Sequence, residues 1–354
     1  MQILITGSSG FIGSHLVQEA LRRGWQVWAG IRRSSSKDAL QDERIHFITL
    51  DFSSPQQLRQ QLLECRRELG NRGWDYVIHA AGVTKCLHHS DFYRTNLEGT
   101  RNLAEALQSA DMKPHRFVFL SSLSVFGDIR QQPVRKATKE QPWVYSPILP
   151  TDKPHPNTTY GKSKLQAEQY LQGLTDFPLT ILRPTGVYGP REHDYMLMAQ
   201  SIEQHFDFSV GFKPQEITFV YVMDLVEAVF QSMQSPAALG KAYFLTDGKV
   251  YTSRRFSELL QQELGTRCVV RLKIPLFLLR IVCRISDMLS HLTGRITALN
   301  NDKYHILSQR NWQCDISDAQ RDFGYQPQWP LERGVKATVQ DYLYHTGERK
   351  ASSM

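Results

Sequence analysis

Apolar and polar positions along the chain alternate in a regular order. The apolar run Ile3-Leu4-Ile5 is followed by a glycine-rich turn and then by Phe11 to Arg23, where apolar residues recur with helical period. Short continuous apolar runs bounded by turn residues read as strands buried on both faces, whereas spacings of three and four read as helices. The same pattern predicts further strands at Trp25 to Ile31, Ile45 to Leu50, Tyr76 to Ala80, Arg116 to Ser121 and Leu179 to Arg183. Helical period returns between them, from Pro55 to Gly70, Asp91 to Ala110 and Thr159 to Leu171. Strands alternating with helices of this length predict an α/β fold built on a doubly wound parallel sheet.

Beyond Arg183 the pattern loosens. Phe219 to Val222 and Tyr243 to Thr246 read as strands, and Asp224 to Met233 and Ser253 to Leu264 as helices. They predict a smaller, mixed lobe interleaved with the last strands of the sheet, with a cleft between the two. From Ile274 to Leu292 the residues Phe277, Leu278, Ile281, Ile285, Met288, Leu289 and Leu292 follow helical spacing, opposite a stripe of Arg280, Arg284, Asp287 and His291. Charge interrupts this segment too often for it to span a bilayer. Two readings stay open: a helix packed on the lobe, or one lying in a membrane interface, flanked by Arg271, Lys273 and Arg295.

The turn Thr6-Gly7-Ser8-Ser9-Gly10-Phe11-Ile12-Gly13 lies between the first strand and the first helix. Gly7 permits a tight turn, Gly10 lets backbone approach a pyrophosphate, and Gly13 lets the helix pack on the strand. The free N–H groups of the helix start favour an anion. This predicts a dinucleotide site that includes Gly7, Ser9, Gly10, Phe11, Ile12 and Gly13. The second strand ends in Arg32-Arg33-Ser34-Ser35-Ser36-Lys37, where an NAD site usually carries an acid for the ribose 2′-OH. Guanidinium groups there suit a 2′-phosphate, so NADP(H) is expected over NAD(H) through Arg32 and Arg33. Asp51 and Phe52 end the third strand and could face the adenine. Ala80, Ala81 and Gly82 end the fourth and leave room for a ligand. Residues 1–185 are thus expected to form the NADP-binding Rossmann domain, 186–345 the substrate lobe, and 346–354 a disordered tail.

Composition narrows the classes. The 354 residues are 41% hydrophobic, enough for a real core. The net charge of +7 accompanies no aromatic-basic nucleic-acid module, so an anionic cofactor is expected first, a membrane surface second and nucleic acid not at all. Five scattered cysteines without a CxxC pair predict neither a disulfide framework nor a metal site. With the first strand starting at residue 2, no signal peptide is expected. The expected location is cytoplasmic, with attachment to the inner face of a membrane as the variant reading.

The fifth strand ends in Ser121-Ser122-Leu123-Ser124, at the carboxyl edge where such sheets bind ligands. A long loop, Gln131 to Thr159, leads into Tyr160-Gly161-Lys162-Ser163-Lys164. Tyr160 and Lys164 share one helix face. With Ser122 they make a constellation suited to carbonyl chemistry. Ser122 donates to a developing oxyanion, Tyr160 moves the proton, and Lys164 with an oxidised nicotinamide favours the phenolate.

With these pieces placed, the chain resembles the extended short-chain dehydrogenases/reductases from the glycine turn to about Tyr342. The resemblance rests on TGSSGFIG, Ala80-Ala81-Gly82, the block Asn96-Leu97-Glu98-Gly99-Thr100, LSSLSVFG, YGKSK, RPTGVYGP and FVYVMDL. It implies catalytic roles for Ser122, Tyr160 and Lys164, a water-organising role for Asn96, Pro184 near the cofactor, and a homodimer through the helices of Asn96 and Tyr160. Nucleotide-sugar epimerases of this family carry asparagine where Gly186 stands and often arginine where Glu216-Ile217-Thr218 stands. The dehydratases carry an Asp-Glu pair where Leu123-Ser124 follows Ser122. The region of Leu299-Asn300-Asn301-Asp302-Lys303 looks closer to hydroxysteroid-dehydrogenase-like members. The expected activity is therefore interconversion of a secondary alcohol and a ketone on an apolar, sterol- or lipid-like substrate. The alternatives are a nucleotide-sugar epimerase holding its diphosphate through Arg191 or Lys213, and a non-catalytic NADP-binding sensor.

Overall fold

The computed structural model describes residues 1–139, 142–297 and 299–352. The first half contains β1 (Gln2–Thr6), α1 (Phe11–Arg22), β2 (Gln26–Ile31), β3 (Ile45–Thr49), α2 (Pro55–Glu68), β4 (Tyr76–His79), α3 (His89–Phe92), α4 (Gly99–Ser109), β5 (Arg116–Leu120), α5 (Thr159–Gln172) and β6 (Leu179–Pro184). The second half begins with β7 (Gly186–Tyr188), α6 (His193–Glu203), β8 (Phe206–Val210), β9 (Glu216–Ile217), β10 (Phe219–Tyr221), α7 (Val222–Gln234) and β11 (Ala242–Leu245). It continues with β12 (Tyr251–Thr252), α8 (Arg255–Leu264), β13 (Val270–Ile274), α9 (Leu276–Thr293), α10 (Asn301–Ser308), α11 (Ser317–Phe323) and α12 (Leu331–Ser352).

Seven strands form one parallel sheet in the order β11-β6-β5-β4-β1-β2-β3. Side chains alternate across its two faces. Ile3 and Ile5 pack with Leu16 and Val17 of α1 and Leu225 and Val229 of α7. Leu4 faces the other way, toward Leu58 and Leu62 of α2 and Leu103 and Leu107 of α4. Both faces are covered, which is why the strands read as continuous apolar runs. β11 and α7 come from the second half of the chain, so the two halves interleave.

A third cluster holds the smaller lobe, where Tyr188, Phe219, Tyr221, Tyr251 and Phe256 meet Leu259, Leu331 and Val335. The order reverses between β1 and β4, and the crevice at their carboxyl ends is where a sheet of this type receives ligands.

Two features depart from the sequence expectations. The segment Asp91 to Ala110 is not one regular helix, because a π-helical stretch, Tyr93–Glu98, separates α3 from α4. At the C-terminus α12 runs through Ser352, so the expected tail falls within a helix up to there. The last two positions, 353 and 354, lie outside the described residues.

Candidate active site

The glycine turn has the geometry of a phosphate cradle. Gly7 has φ +69°, a left-handed conformation, and a Cβ there would lie 2.7 Å from the Ala81 nitrogen. At Gly13 a Cβ would lie 2.1 Å from the Gly7 carbonyl oxygen, so helix and turn touch backbone to backbone. Gly10 begins α1 with extended backbone, and no side chain caps the helix. The first N–H groups of α1 are thereby left for an anion, and the residues present fit a dinucleotide pyrophosphate. Ser9, Phe11 and Ile12 are partly buried in the same turn.

Around this turn the other expected contacts fall at the carboxyl edge of the sheet. Arg32 and Arg33 are exposed at the end of β2, where the Arg32 N–H donates to Ser35 Oγ at 3.1 Å. The Asp51 carboxylate is held below the usual range by hydrogen bonds from Ser53, with Arg33 adding to the effect. Phe52 packs 5.8 Å from His79, ring to ring. Ala80, Ala81 and Gly82 follow β4, and Pro184 ends β6, buried.

A buried histidine not anticipated from the sequence underlies this edge. His79 Nδ1 lies 2.8 Å from Thr6 Oγ1, and Nε2 lies 2.9 Å from Thr100 Oγ1. Thr100 gives its own proton to the Asn96 carbonyl at 2.6 Å. The proton on the histidine must therefore sit on Nε2, leaving Nδ1 to accept from Thr6. Thr6 Oγ1 in turn accepts the Ala81 N–H at 3.3 Å. The ring stays neutral because burial, with the Lys164 charge adding to it, brings its pKa down to about 3. The signal available in sequence was a single polar residue inside the run of β4.

Ser122, Tyr160 and Lys164 come together. Ser122 follows β5, accepts the Ser124 N–H at 3.1 Å, donates to Ser124 Oγ at 3.1 Å and lies near enough to the Tyr160 hydroxyl to influence its ionisation. Lys164 Nζ donates to the Leu120 carbonyl at 2.7 Å and lies 4.5 Å from the centre of the Phe119 ring. Burial lowers its pKa to about 8, against the raising influence of Glu168. The Tyr160 pKa moves opposite to the expectation: burial pushes it up to about 12, and only the nearby Ser122 hydroxyl counters this. Lys164 is committed to a backbone carbonyl here, so the protein alone holds Tyr160 as the protonated phenol.

Asn96, in the π-helical stretch, is fully buried. Its amide accepts the Val83 N–H at 2.8 Å and donates to the Val83 carbonyl at 3.1 Å and to Ser163 Oγ at 3.0 Å. It ties the loop after β4 to α5. The start of α5 is capped twice. Thr158 Oγ1 accepts the Gly161 N–H at 3.0 Å, and the Asp302 carboxylate accepts the N–H groups of Thr159 and Tyr160 at 3.0 and 3.1 Å. Asp302 stands 142 residues from Tyr160, and no local pattern in the sequence announces the contact.

On the substrate side, a Cβ at Gly186 would lie 2.9 Å from the Tyr195 hydroxyl, so a larger residue there would have to displace the tip of that side chain, and Tyr195 packs on Phe256 at 4.5 Å between ring centres. Glu216 faces inward. It accepts the N–H groups of Val144 and Tyr145 and the side-chain amide of Gln313, and so fastens the long loop before α5. Arg191 is partly buried, with its backbone N–H on Asp341, whereas Lys213 is exposed. Among the described residues no group of His, Cys, Asp or Glu could hold a metal ion.

This geometry has recognisable relatives. The chain is 25% identical over 356 residues to a UDP-glucose 4-epimerase of Vibrio cholerae, covering 96% of this chain and 95% of that one. It is 26% identical over 337 residues to sterol demethylase protein B of Methylococcus capsulatus, covering 92% and 94%. The fold is similar to the crystal structure of UDP-glucose 4-epimerase with UDP-glucose from Thermotoga maritima, with a TM-score of 0.73 and 23% identity over 98% of this chain and 99% of that one. A model of the NAD dependent epimerase/dehydratase family matches residues 3–245, which carry the glycine cradle, the seven sheet strands and the grouping of Ser122, Tyr160 and Lys164. The chain therefore belongs to the NAD dependent epimerase/dehydratase family and is an NAD(P)-dependent enzyme of the extended short-chain dehydrogenase/reductase class.

Proposed function

We propose that the chain is an NADP-dependent oxidoreductase that interconverts a secondary alcohol and a ketone on an apolar, sterol- or lipid-like substrate. The observation that carries this reading is the substrate side of the cleft. The Tyr195 hydroxyl approaches Gly186 in front of an aromatic cluster, and Glu216 is spent on the loop. A diphosphate entering there would exchange water for few charged partners, at a cost of several kcal/mol by rough estimate.

When bound, the nicotinamide supplies or accepts the hydride. The cradle from Gly7 to Gly13 holds its pyrophosphate, and Arg32 and Arg33 hold the 2′-phosphate. Asp51, Phe52, Ala80, Ala81, Gly82 and Pro184 bound the rest of the cofactor site, and Lys164 reaches toward the nicotinamide ribose. Ser122 donates a hydrogen bond to the carbonyl oxygen. Tyr160 Oη, protonated at neutral pH, gives its proton to that oxygen as charge develops on it, and takes the proton back in the oxidative direction.

A second reading, a nucleotide-sugar epimerase, is favoured by the Vibrio cholerae relative and by the partly buried Arg191. One experiment separates the two: calorimetry with UDP- and GDP-sugars in the presence of NADP⁺, beside a turnover screen of steroid and long-chain ketones with NADPH. Ketone turnover without nucleotide-sugar binding is the expected result. Micromolar binding of a nucleotide sugar without ketone turnover would replace the first reading with the second.

A further inference from the structure

We infer that α9, with the strand pair β8–β13, forms a surface that docks in the plane of an anionic lipid bilayer. The two stripes expected on α9 are both present, but the apolar one faces away from the protein. Leu279, Cys283 and Ser290 are the residues of α9 that the body of the molecule buries. Phe277, Leu278, Ile281, Val282, Ile285, Met288, Leu289 and Leu292 are exposed, with Phe277 at 69%, Ile285 at 50% and Leu292 at 74%. At 100° per residue they share the face opposite the buried one. A helix on the surface of a globular protein has the reverse arrangement. The helix is about 27 Å long, and among the described residues none is long and apolar enough to cross a membrane.

A second element extends the same surface. β8 and β13 pair in parallel, with Phe206 opposite Val270, Phe208 opposite Leu272 and Val210 opposite Ile274. The alternation of a strand puts these six on one face. Phe206, Phe208, Val270 and Leu272 are exposed, and the two phenylalanine rings stack at 6.1 Å. β13 leads into α9 through Pro275 alone, so the strand pair and the helix are neighbours in the chain.

Charge identifies the occupant. Between residues 267 and 295 stand Arg267, Arg271, Lys273, Arg280, Arg284 and Arg295 against the single acid Asp287. Arg280 and Arg284 lie along one border of the apolar face of α9, both exposed. Two copies meeting through this surface would bring like charges together, whereas anionic headgroups would neutralise them. An apolar face with a basic border is the composition of a helix that lies in a bilayer interface.

The surface also adjoins the active site. α9 packs on α10, with Arg280 5.9 Å from the centre of the Tyr304 ring. α10 carries Asp302, the cap on the helix of Tyr160. Docking would bring the mouth of the cleft to the level of the lipid.

Vesicle flotation of the full chain without substrate tests this independently of the reaction. The wild type is expected to float with vesicles of phosphatidylcholine and phosphatidylglycerol, and less well with phosphatidylcholine alone or at high salt. Each basic residue near an anionic surface changes partitioning about fivefold, so Arg280→Gln with Arg284→Gln should weaken binding by about twenty-five-fold. Ile281→Glu with Ile285→Glu should abolish flotation, as should Leu292→Glu alone should the pair fold poorly, with NADP⁺ binding and melting as in the wild type. A wild type that floats with neither vesicle, or equally with both, overturns the inference. So does flotation unchanged by the substitutions, or a soluble dimer that the apolar variants dissociate.

Discussion

Gly10 and Gly13 stand three residues apart, yet their substitution by alanine should have different consequences. At Gly13 the new methyl would lie 2.1 Å from the Gly7 oxygen, 2.7 Å from the Gly7 carbonyl carbon and 2.9 Å from the Ser8 Cα. All three are backbone atoms, so no rotamer change relieves the clash. Turn and helix must part by about 1 Å to restore ordinary contact, and overpacking of that kind costs about 1–3 kcal/mol, here near the upper end. Alanine in a helix returns about 1 kcal/mol relative to glycine, leaving a net loss of about 2 kcal/mol. With an unfolding entropy of about 2.1 cal/mol/K per residue, that loss lowers the Tm of a 354-residue chain by about 3 °C. At Gly10 the methyl meets only the Gly7 oxygen, at 3.2 Å. The fold should tolerate Gly10→Ala within about 1 °C, whereas the methyl blocks close approach of the pyrophosphate. Affinity for NADP⁺ should then fall on the order of tenfold or more, about 1.4 kcal/mol. Differential scanning fluorimetry and a fluorescence titration with NADP⁺ measure both quantities. A Gly13→Ala protein that melts and binds like the wild type would refute the packing argument. A Gly10→Ala protein as destabilised as Gly13→Ala would refute the division of labour.

Other consequences can be checked with the same preparations. Tyr160→Phe keeps the ring, so NADPH binding should persist while kcat falls about 10²–10⁴-fold; full turnover in this variant would remove Tyr160 from the mechanism. Because burial raises the Tyr160 pKa to about 12, the group is a ready acid and a scarce base at neutral pH. Ketone reduction should not decline through its ionisation near neutral pH, whereas alcohol oxidation should rise with pH through the neutral and mildly alkaline range. An oxidation profile flat between about pH 7 and 9 would contradict this. Arg32→Ala with Arg33→Ala should erase the proposed preference for NADP(H) over NAD(H), each well-formed guanidinium–phosphate contact being worth about 1.5–3 kcal/mol; an unchanged ratio of the two Kd values would show that neither arginine reads the 2′-phosphate. Glu168→Ala should destabilise the fold by about 3–5 kcal/mol, because it leaves the buried Arg183 guanidinium without its partner at 2.6 Å. Urea unfolding reads that loss, and a midpoint within error of the wild type would show that the pair is idle.

What could be read from the sequence follows the range of the interactions. β1, the glycine turn and α1 are local patterns, and their residues meet in space because they adjoin in the chain. Tyr160 and Lys164 share a face by helix geometry alone. β8 and β13 were also open to reading, since Phe206-Asp207-Phe208-Ser209-Val210 and Val270-Arg271-Leu272-Lys273-Ile274 both alternate with period two. Their apolar side is exposed, so they did not resemble the buried runs that marked the main sheet. The cap that Asp302 places on α5 has no local signature, because its partners are 142 and 143 residues away. The direction of the Tyr160 shift depends on how deeply the ring is enclosed and where Lys164 points, and neither follows from spacing.

The π-helical stretch solves a problem of phase. Each residue of an α-helix turns the next by about 100°, so the face a helix shows at one end dictates what it shows at the other. α3 must turn Phe92 toward Tyr160, their rings 6.4 Å apart, while α4 must turn Leu103 and Leu107 toward the sheet. A π turn takes up one extra residue and shifts the angular register between the two ends, and π-bulges of this kind often sit at functional sites. Asn96, inside the widened turn, clasps Val83 and Ser163. Deleting one residue between Tyr93 and Glu98 would restore regular winding and turn every side chain on one flank by a quarter turn or more. Length in this stretch is therefore more tightly constrained than composition, and a gap of one residue would do more harm than most substitutions.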